Sequence, residues 1–210
     1  MLSKVLPPST QTTGVTAPQR EPLVPSVWPG VYVPNFSDWR EGDVVLIHRA
    51  MDTVGIGIQM AQASSLNALT RAGSICSHAA IYVGGGMVVD ATKGLAVSEQ
   101  SVWNYCQTRA IQLRRITDPA IPASDIADIA LFARQHVGEP YSVIQAIVSK
   151  LVPGTVPARD ALYCSTLVGL VVADATGFDL SSDPAHQPLH PGTLVAHPDL
   201  TDILLEWRQL

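Results

Sequence analysis

The feature that most constrains this chain is a run of three glycines, Gly84 to Gly86, between two stretches of β-forming residues. His78 to Val83 come before the glycines, and Met87 to Ala91 come after them. Two such stretches joined by a short glycine loop predict an antiparallel β-hairpin. The fold is therefore expected to contain a small antiparallel sheet built around this hairpin.

The length of the hairpin loop decides which side chains share a face. If all three glycines form the loop, Ala80 lies opposite Asp90. Because side chains alternate along a strand, His78 then lies diagonally across from Asp90 on the same face. A two-residue loop would put Asp90 on the other face. Any joint role for His78 and Asp90 therefore requires the longer loop, a bulge or an equivalent shift.

A second stretch, Tyr163 to Val172, predicts a buried helix with Cys164 in its first turn. The apolar residues that follow this cysteine at the spacing of one helical face are Leu167, Val168, Val171 and Val172. A thiol at a helix N-terminus feels the positive end of the helix dipole, which favours the nucleophilic thiolate. The alternative is that Cys164 is simply a small core residue.

Hydrophobic patterning predicts the remaining elements. A buried strand is expected at residues 44–47, a strand with one solvent-exposed face at 110–114, and helices at 54–70, 125–136 and 143–151. Residues 98–101 are expected to begin a helical turn ending near Tyr105. After Gly177 a loop is expected, with a last short helix near residues 199–207.

Composition limits the classes of function. Residues 1–37 are expected to form a Pro-rich, extended leader, and residues 38–210 a single domain, because 47% hydrophobic residues are enough for one packed core. The net charge of −5 and the scattered Lys and Arg argue against nucleic acid as a partner. No apolar run is long enough to span a membrane, and no signal peptide is recognisable. A cytoplasmic protein and one exported by a signal-independent route are both compatible with this.

Three residues form a candidate catalytic set: Cys164 as nucleophile, His78 as base, and Asp90 to orient the imidazole. Each also has a structural interpretation, since a histidine on a strand is often a core or rim residue. Cys76 is a rival thiol because it lies two residues before His78, but no helix follows it. Cys106 is interpreted as structural.

Metal and phosphate sites have weak support. The cysteines have no metal-ligand spacing, and three histidines in the C-terminal region, His186, His190 and His197, are irregularly spaced. A zinc site there lacks any supporting motif, and no metal or cofactor is expected. Gly84 to Gly86 is no phosphate loop, because a strand follows it and no Lys-Ser/Thr pair does.

Four motifs together resemble the NlpC-type cell-wall peptidases. In that family a Gly-x-Pro-Tyr segment precedes an Asp-Cys-Ser-Gly-Leu-Val helix. Here HVGEPYS is followed, after about twenty residues, by YCSTLVGLVVADATG. The family's Gly-Asp strand and its His-x-x-Ile-Tyr-x-Gly hairpin appear as Gly42–Leu46 and SHAAIYVGGGMVVDA, but before the cysteine. This order is similar to the circularly permuted branch, which includes YiiX-like and lecithin:retinol acyltransferase-like proteins.

The resemblance implies a papain-like α+β fold, in which a helical lobe bearing Cys164 packs on the sheet bearing His78 and Asp90. It also implies that Tyr141 matches a tyrosine that helps to bind the oxyanion, beside the Cys164 backbone N–H. Tyr163 and Thr166 depart from the family's Asp and Gly. Tyr163 is assigned with Tyr141 to substrate binding, and the departures affect substrate preference more than mechanism.

The function implied is a cysteine hydrolase that cleaves an amide bond through an acyl-enzyme, with bacterial peptidoglycan peptide as substrate. An exported effector fits that substrate best, and a delivery or immunity protein is then the expected protein partner. One alternative is a thiol acyl hydrolase or acyltransferase acting on lipids, suggested by the apolar residues 143–148. Another is a non-catalytic binding module on the same fold.

Overall fold

The computed structural model describes residues 2–4, 23–25, 32–48, 53–92, 96–106, 110–140, 163–180 and 189–209. In these residues the strands are β1 Leu2–Lys4, β2 Leu23–Pro25, β3 Tyr32–Pro34, β4 Val44–His48, β5 Cys76–Gly84, β6 Met87–Ala91, β7 Val97–Ser101, β8 Ala110–Ile116, β9 Leu200–Ile203 and β10 Trp207–Gln209. The helices are α1 Thr53–Ala63, α2 Ala68–Ala72, α3 Trp103–Cys106, α4 Ala123–Gln135, α5 Cys164–Thr176 and α6 Pro191–Val195. A 3₁₀ turn covers Phe36–Asp38.

Six strands form one antiparallel sheet in the order β7-β6-β5-β4-β8-β9. The strands with the most aliphatic sequences, β4 and β5, are central and buried, whereas β7 and β9 lie at the two edges. Strand β3 pairs separately with β10, and β1 pairs with β2. The sheet and its helices give the α+β architecture that the sequence predicts.

Each face of the sheet buries its own cluster of apolar side chains. On the helix-covered face, Val44, Ile81 and Val89 pack with residues of α4 and α5, among them Ile129 and Leu167. This burial explains the apolar face of α5, because the residues at the predicted spacing after Cys164 are all excluded from solvent.

The opposite face of the sheet is covered by aromatic side chains instead. Phe36, Trp39 and Trp103 pack against Tyr82 and neighbouring residues of the sheet. Aromatic rings bury large areas, so residues from short elements can close this face without a long helix.

The hairpin between β5 and β6 has a two-residue turn and a compensating bulge. Gly85 and Gly86 have φ values of 61° and 77°, and a two-residue type I′ turn requires positive φ at both of its central residues. Gly84 lies opposite Met87 across the turn. The register then shifts between Tyr82 and Gly84, so that Tyr82 pairs with Val88. One extra residue in the bulge restores the register that a three-residue loop would have given.

The bulge has a direct consequence for the candidate catalytic residues. The observed pair Ile81–Val89, continued by one residue, places Asp90 opposite Ala80. His78 is therefore diagonal to Asp90 on the same face of the sheet. A bulge was one of the arrangements that the sequence allowed for this pair.

The start of β5 is fixed by a second bulge and by a buried glutamine. The pairing of β4 with β5 shifts between Ile47 and His48, which separates the faces of Cys76 and His78. Gln62 of α1 donates to the Cys76 carbonyl at 2.6 Å and accepts from the backbone N–H of Gly192 at 2.6 Å. Helices α1 and α6 are thereby tied to the strand that carries His78.

The Gly-Asp pair before β4 is structural in this chain. Asp43 is buried and accepts from Arg115 Nε at 2.6 Å and from Arg115 Nη2 at 2.7 Å. A bidentate pair of this kind fixes geometry as well as charge. Gly42 has a φ of 90°, and a Cβ there would lie 2.7 Å from the Ile126 carbonyl. Another residue at position 42 would therefore clash.

Three predictions of local structure are wrong. Residues 98–101 belong to strand β7 rather than to a helical turn, and residues 199–207 contain β9 and the start of β10 rather than a helix. The predicted loop after Gly177 includes helix α6. The predicted helix at 54–70 is divided between α1 and α2, and the one at 143–151 lies outside the described residues.

Candidate active site

The candidate nucleophile, Cys164, is the first residue of helix α5. Tyr163 precedes it with extended backbone angles, φ −124° and ψ 167°, and so breaks the helical path at this point. The Thr166 hydroxyl accepts from the Tyr163 N–H at 2.9 Å and donates to the Tyr163 carbonyl at 2.8 Å. Thr166, which departs from the family's glycine, therefore holds the start of the helix.

The candidate base, His78, lies between a carboxylate and the thiol. Its Nε2 is 2.8 Å from Asp90 Oδ2, and its side chain is also hydrogen-bonded to Cys164. Because Asp90 occupies Nε2, Nδ1 is the ring nitrogen left for the sulfur. The structure thus brings together Cys164, His78 and Asp90 in the order expected of a thiol triad.

The electrostatics favour a charged imidazole. Burial alone would lower the pKa of His78, but the charge of Cys164 and the hydrogen bonds to Asp90 and Cys164 outweigh burial and raise that pKa to about 10. Below that pH His78 carries a proton. The attraction acts equally on its partner, so it favours the thiolate form of Cys164.

The third residue, Asp90, is completely buried and surrounded by donors. Besides His78, its oxygens accept from Gln100 Nε2 at 2.5 Å, from Thr92 Oγ1 at 3.1 Å and from the Tyr105 hydroxyl. A buried carboxylate needs such partners because its desolvation is otherwise costly. Asp90 is therefore embedded in the fold.

The other thiols lie in different surroundings. Cys76 is buried in the aliphatic cluster, and its sulfur contacts the His78 carbonyl at 3.4 Å. Burial raises the pKa of Cys76, and burial likewise raises that of Cys106. Neither thiol has the helix N-terminus and imidazole that Cys164 has.

Two further predictions concern tyrosines. Tyr163 is buried, 1% exposed, directly before Cys164, and its assignment to substrate binding stays a prediction. Tyr141 lies outside the described residues. Gln100 and Tyr105, which surround Asp90, were not predicted from the sequence. Predicting Val97–Ser101 as a strand would have placed Gln100 on the same face as Asp90. Ser98 is the residue that pairs with Asp90, and Gln100 lies two positions after it.

A thiol at a helix N-terminus, facing a sheet-borne imidazole and carboxylate, is the arrangement of papain-like cysteine hydrolases. The chain belongs to the C92 peptidase family of permuted papain-like amidases, named for YaeF and YiiX, because residues 38–190 match that family. It is therefore a cysteine hydrolase of amide bonds. Its His78 precedes Cys164 in the chain, which agrees with the permuted order.

Comparison with solved structures agrees on the fold. The chain is similar to the crystal structure of the metalloprotein yiiX from Escherichia coli O157:H7, with a TM-score of 0.56 and 19% sequence identity. The similarity covers 80% of this chain and 98% of yiiX. No curated protein sequence matches the chain significantly.

In the described part of the chain, no group of three or more His, Cys, Asp or Glu side chains is arranged to hold a metal ion. None of the helices in these ranges has the length and apolar character needed to cross a bilayer.

Proposed function

We propose that this hydrolase cleaves amide bonds in bacterial cell-wall peptide, with Cys164 as nucleophile, His78 as acid and base, and Asp90 as the residue that orients His78. The observation that carries the catalytic roles is the position of the His78 ring, bonded to Asp90 through Nε2 and to Cys164 on its other side. Membership of an amidase family supports the type of bond.

The proposed reaction has two steps. The Cys164 thiolate attacks the carbonyl carbon, and the His78 imidazolium gives its proton to the leaving amine as the C–N bond breaks. The product of this step is a thioester and a neutral His78. His78 then takes a proton from water, the hydroxide attacks the thioester, and the thiolate is regenerated as the acid leaves.

Two features of the site support this sequence of proton transfers. Asp90 holds the Nε2–H of His78, so the proton that moves is the one on Nδ1, next to the sulfur. The backbone N–H of Cys164 lies in the first turn of α5, where helix dipoles favour negative charge, and it is our candidate donor to the oxyanion.

Purified peptidoglycan is the direct test of the substrate. We expect the wild type to release peptides with new free amino groups, and Cys164→Ala to release none. Cys76→Ala is the matched control, since it removes a buried thiol from β5, the strand that also carries His78. Mass spectrometry of the products identifies the bond. If Cys164 shows the reactivity of a Cys–His pair but the wild-type protein leaves peptidoglycan intact, the cell-wall substrate is contradicted and the catalytic roles are not.

The role of an exported effector, with a delivery or immunity protein as partner, is part of the same proposal. Its support is chemical, since cell-wall peptide lies outside the bacterial cytoplasm. We expect lysis when the wild type is directed to the periplasm of a susceptible bacterium, and no lysis when it stays in the cytoplasm. Cys164→Ala directed to the periplasm should be harmless, and its toxicity would contradict the proposal.

The alternatives are outcomes of the same experiments. The apolar segment 143–148, which suggested a lipid acyl substrate, lies outside the described residues, so no described contact favours that activity. Fatty acid released from phospholipid vesicles by the wild type but not by Cys164→Ala would favour it nevertheless. A Cys164 that reacts like an ordinary thiol would favour the binding module.

A further inference from the structure

The carboxylate of Asp90 is held on both of its oxygens. Oδ2 accepts from the Tyr105 hydroxyl and is bonded to His78, whereas Oδ1 accepts from Gln100 and Thr92. Asp90 is itself 0% exposed, so these side-chain donors, and not bulk solvent, satisfy its oxygens. Rotation of the carboxylate away from His78 would break bonds on both oxygens at once.

Gln100 sets the direction of these bonds. Its Nε2 lies 2.5 Å from Asp90 Oδ1, 2.9 Å from the Tyr105 oxygen and 3.3 Å from Thr92 Oγ1, and the two shorter contacts take its two amide protons. Asn104 donates to its Oε1 at 3.0 Å, which fixes the amide with the NH₂ group toward Asp90. Because the Tyr105 oxygen accepts from Gln100, its own proton is directed to Asp90.

Tyr105 also contacts the imidazole. Its hydroxyl lies 3.4 Å from His78 Nε2, and the two ring centroids are 5.6 Å apart with a tilt of 33°. The phenol therefore limits the movement of both members of the His78–Asp90 pair. It comes from the short helix α3, and Gln100 comes from the edge strand β7, so two elements that carry no member of the triad converge on Asp90.

We infer that Tyr105 and Gln100 are positioning residues that lock the Asp90 carboxylate onto His78 Nε2 and thereby sustain the Cys164–His78 ion pair. The inference rests on the catalytic roles proposed above. Both residues donate to Asp90, and we assign their effect to these bonds rather than to the 3.4 Å contact of Tyr105 with His78 Nε2. Removing either donor lets the carboxylate turn, weakens its bond to His78 and so lowers the pH at which His78 loses its proton.

The test measures alkylation of Cys164 by iodoacetamide against pH, followed by peptide mass spectrometry that separates the three cysteines. In the wild type the rate should change at high pH, where His78 deprotonates. We expect Tyr105→Phe and Gln100→Met to move that change to lower pH and to reduce amide hydrolysis by about tenfold in kcat with little change in KM. Tyr82→Phe is the matched control, because it also removes a buried hydroxyl from this face of the sheet.

A double-mutant cycle distinguishes positioning from a general structural effect. If Tyr105 acts through Asp90, Tyr105→Phe should change neither the pH profile nor kcat once Asp90 is Asn. If Asp90→Asn fails to fold, the ring nitrogen resonances of His78 in Gln100→Met replace the cycle, because Gln100 bonds Asp90 and not the imidazole, and the titration should move to lower pH.

Three outcomes would overturn the inference: an unchanged profile in Tyr105→Phe, a shift to higher pH, or an equal shift in the Asp90→Asn background. Each of these leaves the proposed function standing if Cys164→Ala is inactive. A wild type with no His78-dependent change in alkylation would overturn both.

Discussion

The starts of β5 and α5 each present a buried cysteine, and the two differ in what surrounds the sulfur. Cys76 is 0% exposed and Cys164 is 2% exposed, so exposure does not distinguish them. Cys76 lies among aliphatic side chains on a strand, where burial raises its pKa. Cys164 lies at a helix N-terminus beside His78. Burial makes a thiol inert unless a helix dipole and an imidazole offset the cost of its charge.

The first prediction concerns turnover and has the largest expected effect. Cys164→Ala should lower amide hydrolysis by at least about 10³-fold, because no other group in the site can form the acyl-enzyme. Cys76→Ala should keep most of the activity, since its sulfur is not placed to react. The measurement is the initial rate of amine release from peptidoglycan. Equal losses in the two variants would mean that the two thiols are equivalent.

The second prediction concerns reactivity at low pH. At pH 6 an ordinary thiol with a pKa near 8.5 is less than about 1% thiolate, whereas a thiol paired with an imidazolium is largely ionised. His78→Ala should therefore slow alkylation of Cys164 by about 100-fold at pH 6. Cys76 in the same samples is the internal control and should react slowly in both proteins. If Cys164 is alkylated at the same rate in the wild type and in His78→Ala, the mechanism does not involve a Cys164–His78 ion pair.

The third prediction concerns the titration of His78. Its pKa is raised above the ordinary 6.5 to about 10, so the stability it contributes is complete below pH 6.5 and is lost as pH rises through about 10. Cys164→Ala removes the charge that raises this pKa, so the titration should move to lower pH. Cys76→Ala should leave it in place. Nuclear magnetic resonance of the imidazole gives both values, and an unmoved titration in Cys164→Ala would assign the shift to Asp90 alone.

The fourth prediction concerns stability and has the smallest expected effect. Cys76→Ser puts a hydroxyl among aliphatic side chains and should lower the free energy of unfolding by about 1–3 kcal/mol. Cys164→Ser should cost less than about 1 kcal/mol, because the new hydroxyl keeps His78 as a partner. Urea denaturation of the two variants measures the difference. A larger loss for Cys164→Ser would reverse the comparison.

The parts of the site that were predictable from sequence depend on strong local patterns. The apolar face of α5 identified the helix and the place of Cys164 on it, and the alternation around the glycines allowed His78 and Asp90 to share a face if the loop was longer or a bulge was present. The choice of Cys164 over Cys76 followed from the helix alone. The sequence left open whether a longer loop or a bulge set the hairpin register, because both use the same glycines.

The errors concentrate at the edges of the sheet. Strands β7 and β9 are short and polar, and each has a neighbour on one side only, so their sequences lack the aliphatic runs of β4 and β5. The same polar composition resembles a solvent-facing helix. Because β7 was not predicted, two residues of the site were not predicted either: Gln100, which lies on β7, and Tyr105, which follows it. Both residues gain their role from contacts between elements, which a local pattern does not encode.

Because of the bulge at Val83, the number of residues in the hairpin loop decides whether His78 and Asp90 lie on the same face of the sheet. Surface loops ordinarily tolerate insertions and deletions well. Here the two-residue turn and the bulge together set the register, and Gly84 in the bulge has a φ of 88°, a conformation that L side chains rarely adopt. Losing one residue from this loop would carry Asp90 to the opposite face from His78. An in-frame deletion of one codon there would separate His78 from Asp90, although both residues would still be present in the chain.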